Sequence, residues 1–267
     1  MDLTPITRLT RDLTAATTTL GRAEARYLVD AYYTMQKQRI RAHNQSTALV
    51  ESNEPHALIT WFDEQSEALE RQIKRALGAY AKAQPVGPWL LGIKGIGPCI
   101  GAGLLAHIDI TQAPTVGHIW RFAGLDPTSK WNKGEKRPWN AELKVVCWKA
   151  GESFVKVSGD DDAYYGQVYK ARKAYEITNN AAGKYADQAA TSLAAKRYGK
   201  DTEARKHYEA GKLPPARIHL RAERYAVKLM LAHLHHKLYV AEYGREPPLP
   251  YPIAMIEGHS HYVPPPG

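Results

Sequence analysis

The sequence predicts a mainly α-helical protein, a helical bundle, and three observations predict it. Apolar residues recur at spacings of three to five at Ala25, Leu28, Tyr32, Met35 and Ile40, and a second long stretch repeats apolar Leu58, Trp61, Phe62, Ala68, Leu69, Ile73 and Leu77. No apolar-polar alternation lasts more than a few residues, so strands have little to form from. Proline and glycine gather at a few points that read as breaks between helices, above all at Pro85, Gly87 and Pro88.

Taken in chain order, residues 1–84 read as two long amphipathic helices. Asn53 and Pro55 between them suit a helix stop and restart, so an antiparallel pair is the expected arrangement. The break at Pro85 to Pro88 opens a second segment, 85–162, which starts on the glycine-rich stretch "LLGIKGIGPCIGAGLLAH". Segment 163–246 is helical, basic and rich in tyrosine, and it ends in a helix from Pro215 to Tyr243. Residues 247–267 form an extended or irregular proline-rich tail.

The glycine-rich stretch needs a physical reason, because glycine inside a helix costs up to about 1 kcal/mol relative to alanine. A short helix ending near Ile93, a turn at Gly95-Ile96-Gly97 and a second helix running from Pro98 to His107 supply one. Proline at the first helical position sacrifices no hydrogen bond, since first-turn amides lack an intrahelical partner. Those amides, with the unobstructed glycines, suit a phosphate oxygen. The pattern is that of a helix-hairpin-helix, with Lys94, Gly95, Ile96, Gly97, Pro98 and Cys99 as its backbone-gripping residues. A tight helical hairpin of purely structural purpose is the plainer reading of the same residues.

The 267 residues carry 36 Lys and Arg against 27 Asp and Glu, a formal charge of +9, which favours a polyanionic partner. Between Tyr164 and Lys228 stand 14 cations and 6 acids, so nearly all of the excess lies there. Lys170, Arg172, Lys173, Lys196 and Arg197 belong to this run, interleaved with Tyr165, Tyr169, Tyr175, Tyr185, Tyr198 and Tyr208, which offer surfaces for stacking bases. The loop from Lys130 to Arg137, with Lys133 and Lys136, adds a further basic stretch. Charge runs also serve as solvated faces, and tyrosines at helical spacing also serve as core.

Cys99 and Cys147 are isolated in apolar surroundings, which supports neither a disulfide framework nor a cysteine zinc site. No cofactor is expected. His233, His236, His259 and His261 form the alternative metal set, with polar packing of the tail as the competing reading. "SGDDDAYY", Ser158 to Tyr165, reads as a loop and helix N-cap. No secretory pattern opens the chain and no run approaches 18 apolar residues, so a cytoplasmic protein with no membrane partner is expected.

Residues 90–156 resemble the C-terminal domain of transposases of the IS110/IS116/IS902 family. The likeness rests on Gly-Ile-Gly-Pro with its apolar helix, Asp109 after that helix, "FAGLDP" at Phe122 to Pro127, the basic glycine-containing loop and the Asn-x-x-Leu helix start at Asn140 and Leu143. The resemblance implies DNA as partner, with RNA as the alternative, in the nucleoid of a bacterial or phage-infected cell. Two departures limit it. Residues 1–84 read as helices and lack the acidic constellation of the family's RNase H-like domain. Where the family carries a nucleophilic serine before Gly-Gly-Lys, this chain reads Trp131-Asn132-Lys133-Gly134, and Ser129 is the nearest serine. The expected function is therefore DNA-backbone binding with little sequence preference and without catalysis. The alternatives are a transposase or recombinase subunit that uses Ser129, or an assembly protein. A homo-oligomer through the N-terminal helices is a further expectation.

Overall fold

The computed structural model describes residues 11–51, 57–249 and 263–266. Among them are eleven α-helices, two 3-10 turns and no strand. The proposed link residues Asn53 and Pro55 lie outside the described residues, as does the tail from 250 to 262. No helix among the described residues is long and apolar enough to cross a membrane.

The chain divides into two compact units. The first takes in the described residues within Met1–Gly92, Ile96–Gln112 and Ala241–Gly244, and the second those within Ile93–Gly95, Ala113–Val240 and Arg245–Gly267.

In the first unit, helix α1 (Arg11–Ala16) precedes the long helices α2 (Arg22–Glu51) and α3 (Ala57–Ala83), followed by α4 (Gly87–Gly92) and α5 (Pro98–His107). The long pair is antiparallel: Arg39 Nε lies 2.6 Å from Glu70 Oε2, and His43 Nδ1 lies 3.3 Å from Asp63 Oδ2, so the partner numbers fall as the chain rises. Helix α5 packs against both. A helix covered on so many sides must be apolar all round, and Cys99 and every residue from Gly101 to His107 are buried. Small residues bring it close to its neighbours: a methyl group at Gly101 would meet Leu91 Cδ2 at 3.1 Å, and Pro98 lies 3.6 Å from where one at Gly78 would stand. Two arginines of α2 serve the C-terminal end of α5. Arg26 donates to the Ala106 carbonyl at 3.4 Å, and Arg22 pairs with Asp109 at 2.8 Å, cations placed where the helix dipole favours them.

The second unit contains α6 (Val116–Phe122), α7 (Ala141–Lys156), α8 (Tyr164–Ala181), α9 (Ala186–Ala195), α10 (Glu203–Glu209) and, up to Val240, the long α11 (Pro215–Tyr243). Phe154 of α7 stacks on Tyr165 of α8 with ring centroids 5.0 Å apart, and the Tyr165 hydroxyl hydrogen-bonds with His233 Nδ1 of α11 at 2.8 Å. Trp120 of α6 donates its indole N–H to the Lys228 carbonyl. A smaller apolar cluster, Tyr185, Ala189, Tyr208, Leu213 and Ile218, holds α9 and α10 to the start of α11.

Candidate functional site

The turn before α5 has two glycines with different reasons to exist. Gly95 adopts φ +99°, a left-handed conformation that side chains resist, and a methyl group there would meet Phe154 at 3.1 Å. Its carbonyl accepts a 2.6 Å hydrogen bond from Ser153 Oγ. Gly97, the N-cap of α5, has φ −86° and open space where a side chain would be, so neither backbone nor packing demands glycine there. Ile96 is buried, as an anchor for the turn requires, and Pro98 stands at the first turn of α5. Gly97 makes no side-chain cap hydrogen bond, and the first-turn amides have no partner within the helix.

Lys94 is not an unassigned charge beside the turn. Its ammonium pairs with Asp160 at 2.7 Å and Asp162 at 3.2 Å, and the Asp160 hydrogen bond holds its pKa above the usual lysine value. This corrects the reading of "SGDDDAYY" as a helix N-cap: the cap residue of α8 is Ala163, with no side-chain bond, and the aspartates serve Lys94.

A second candidate surface is built around the basic loop. Its core is a pair of tryptophans: Trp139 lies over Gly124, where a methyl group would come 2.8 Å from the indole, and Trp131 meets Trp139 edge-on at 6.4 Å. Trp131 also donates to the Glu135 carbonyl, and the Glu135 carboxylate accepts from the backbone and side-chain amides of Asn132. The loop is thus held in shape while Lys130, Lys133, Lys136 and Arg137 remain exposed. Gly134, at φ +94°, makes its bend. Asn140 ends the loop and caps α7 by accepting from the Leu143 amide at 2.8 Å.

Further cations face this loop from α7 and α11. Lys144 Nζ sits 4.3 Å above the Trp139 ring, and Arg137 lies 5.0 Å over Trp131. Burial, then Arg224, then Arg137 pull the Lys144 pKa below its ordinary value. Lys228, 4.1 Å over Trp120, is lowered first by burial, with Asp126 opposing and Arg224 adding to the shift. Nothing local in the sequence joins Lys144 or Arg224 to the loop; only the packing of the helices does.

The tyrosine-rich helices are assigned differently from the sequence reading. Tyr165, Tyr169, Tyr185 and Tyr208 are buried and cannot stack on bases, whereas Tyr175 is exposed and Tyr198 half-buried. Arg172 is committed to the interior: with Arg221 it clamps the fully buried Glu176 at 2.6 and 2.8 Å, and Tyr185 donates its hydroxyl to the same carboxylate. Lys170, Lys196 and Arg197 are exposed, and Lys173 is half-buried near Tyr169.

Ser129 follows a turn made by Asp126, whose carboxylate accepts from the Thr128 amide and hydroxyl at 2.9 and 2.8 Å. The Ser129 amide reaches the Asp126 carbonyl at 3.3 Å, and its hydroxyl has no partner among the described residues. Both cysteines are buried thiols whose pKa burial pushes up to about 12, so neither is a nucleophile at neutral pH. Of the alternative histidine set, only His233 and His236 fall among the described residues. Both ring nitrogens of His233 are engaged, by Tyr165 and the Val263 carbonyl, and His236 pairs with Glu246. His259 and His261 lie outside the described residues. A different grouping stands on α7 and α11, where Glu152, His219 and Glu223 bring ligand atoms within 4.8 Å of one another. The i, i+4 spacing of His219 and Glu223 was legible; Glu152 was not.

Residues 88–141 match the family described as Transposase IS116/IS110/IS902. The chain is also 32% identical over 114 residues to the insertion element IS110 uncharacterized 43.6 kDa protein of Streptomyces coelicolor, a match that takes in 40% of this chain and 27% of that relative. The chain thus spans about a quarter of the curated relative it matches. No solved structure gives a significant match.

Proposed function

We propose that the protein binds the phosphate backbone of DNA through the loop Lys130–Arg137 together with Lys144 and Arg224, with little preference for base sequence. The observation that carries this reading is the convergence of Arg137, Lys144 and Arg224 from three segments of the chain without an acidic partner for Lys144 among the described residues. Like charges held together are unfavourable alone and become favourable when a polyanion lies across them. Exposed tryptophan beside them adds a stacking surface, Trp131 being 42% accessible. The amide end of α5, read as the second helix of a helix-hairpin-helix, is the second backbone contact, with Gly97 giving a phosphate room to approach. The likeness to the transposase family agrees with DNA over RNA.

The test is fluorescence anisotropy with labelled duplex, single-stranded and branched DNA and with RNA, across a salt series. An Arg137→Ala/Lys144→Ala/Arg224→Ala variant is expected to bind DNA more weakly and to lower the salt slope by about 3, one unit for each phosphate that is no longer neutralised. Unchanged binding rules out this surface, and no binding to any polyanion by the wild type rules out the function.

A second reading is strand cleavage by Ser129, favoured by the position of its hydroxyl, without a partner among the described residues, at the head of the cationic loop. Nicking of supercoiled DNA that disappears in Ser129→Ala would establish it. The half-exposed Ile40, Leu58 and Phe62 of α2 and α3 favour self-association through the N-terminal helices.

A further inference from the structure

We infer that Glu152, His219 and Glu223 form a binding site for one divalent cation of the zinc class. The three side chains come from two helices of one unit, α7 and α11, and offer one imidazole nitrogen and two carboxylates. Such mixed donors suit zinc, which takes three protein ligands and leaves a position to water. An all-oxygen set would suit magnesium or calcium instead.

The central ligand is Glu223. Its side chain is only 6% accessible, and its Oε2 has no hydrogen-bond partner among the described residues while facing His219 Nε2 at 3.6 Å. Burying a carboxylate oxygen without a partner is costly, so the arrangement calls for something to share that oxygen. A tetrahedral ion with ligand distances of about 2.0–2.2 Å sets its ligands about 3.4 Å apart, close to the separation already present. The wider separations, none above 4.8 Å, close by rotation of the half-buried Glu152.

Two neighbours make this a built arrangement. The Tyr169 hydroxyl hydrogen-bonds with His219 Nδ1 at 2.7 Å, which fixes the ring with Nε2 toward the carboxylates. With an ion on Nε2, Nδ1–H donates to that hydroxyl, the outer-shell contact that metal-binding histidines ordinarily make. Gly151 provides the space: a methyl group there would stand 2.3 Å from Glu223 Oε1 and 2.6 Å from its Cγ. Arg224 opposes a cation, but it is exposed to solvent and outweighed by two carboxylates.

The test uses the full chain, stripped with chelator and titrated with Zn²⁺, Mn²⁺ and Mg²⁺ by calorimetry, followed by Co²⁺ for its visible absorption. The expected result is one equivalent of Zn²⁺, a Co²⁺ spectrum of low coordination number, and Zn²⁺ affinity at least about tenfold weaker in His219→Ala, Glu223→Gln and Tyr169→Phe. His236→Ala, a control for the other histidines, should bind as wild type. Circular dichroism in chelator confirms that each variant is folded, and Glu152→Gln on the half-exposed rim replaces Glu223→Gln if the buried substitution unfolds the chain. Absence of Zn²⁺ binding, binding undiminished in the His219 and Glu152 variants, or a preference for Mg²⁺ overturns the assignment.

Discussion

The Lys94 ammonium lies 2.7 Å from Asp160 Oδ2, and Asp162 adds a second carboxylate at 3.2 Å. Three aspartates at 160–162 therefore leave this locality negative, although the sequence around Lys94 alone reads as basic. If Lys94 contacts phosphate, these carboxylates oppose it. An Asp160→Asn/Asp162→Asn variant should bind DNA more tightly and with a steeper salt dependence than wild type, because one cation is released and two anions are removed. All three groups are exposed, so the melting temperature should hold. Equal affinity in anisotropy titrations would mean that Lys94 does not meet DNA.

The two turn glycines should separate by experiment. Gly95→Ala forces a side chain into a left-handed conformation against Phe154 and should destabilise the fold by about 1–2 kcal/mol in urea melts. Gly97→Ala has open space around it and should cost under about 1 kcal/mol as an N-cap change. Its DNA affinity should nevertheless drop by roughly tenfold, the equivalent of one charge-assisted hydrogen bond of about 1.5 kcal/mol. Wild-type affinity in a folded Gly97→Ala protein would assign both glycines to packing.

The start of α5 was legible in the sequence because the chemistry that sets it is local: Pro98 suits the first helical turn, where its missing N–H costs nothing, and Gly95 takes the left-handed turn before it. The antiparallel pair α2 and α3 was legible from apolar spacing for the same reason. The charged residues were not, because their roles depend on distant partners. Nothing near Lys94 announces Asp160, and nothing near Arg172 says that it and Arg221 share a buried Glu176. The tyrosines had helical spacing, a pattern that fits core and stacking surface alike, and burial decided four of the six for the core. Glu152 meets His219 and Glu223 only because α7 and α11 pack together, and the one local sign was a glycine beside it, Gly151, which leaves room for a carboxylate from another helix.

Gly124 links stability to the proposed interface. It adopts φ +65°, and a methyl group there would come 2.8 Å from the Trp139 indole that supports the loop and Lys144. Gly124→Ala should therefore destabilise by about 1–3 kcal/mol, through backbone strain and displacement of Trp139. Limited trypsin digestion should cut first at Lys133 or Lys136 in this variant, and DNA affinity should fall although no cation has been removed. Resistance to trypsin equal to wild type would show that the loop keeps its shape without that support.

Glu176 should make the fold sensitive to acid. Burial by itself would raise its pKa, but hydrogen bonds from Tyr185, Arg221 and Arg172 override this and hold it below the ordinary carboxylate value. A folded-state pKa lower than the unfolded one means that the unfolded chain takes up protons first as pH falls. The contribution is therefore complete above about pH 4.5 and is lost progressively below it. Glu176→Gln leaves two guanidinium groups facing a neutral amide and should cost about 3 kcal/mol at pH 7, the lower end of the range for broken buried pairs because both arginines keep about a third of their surface in water. Urea melts of wild type and variant between pH 3 and pH 7 check both statements: the two stabilities should converge as pH drops. A gap that stays constant down to pH 3 would show that Glu176 acts through packing and not through its charge.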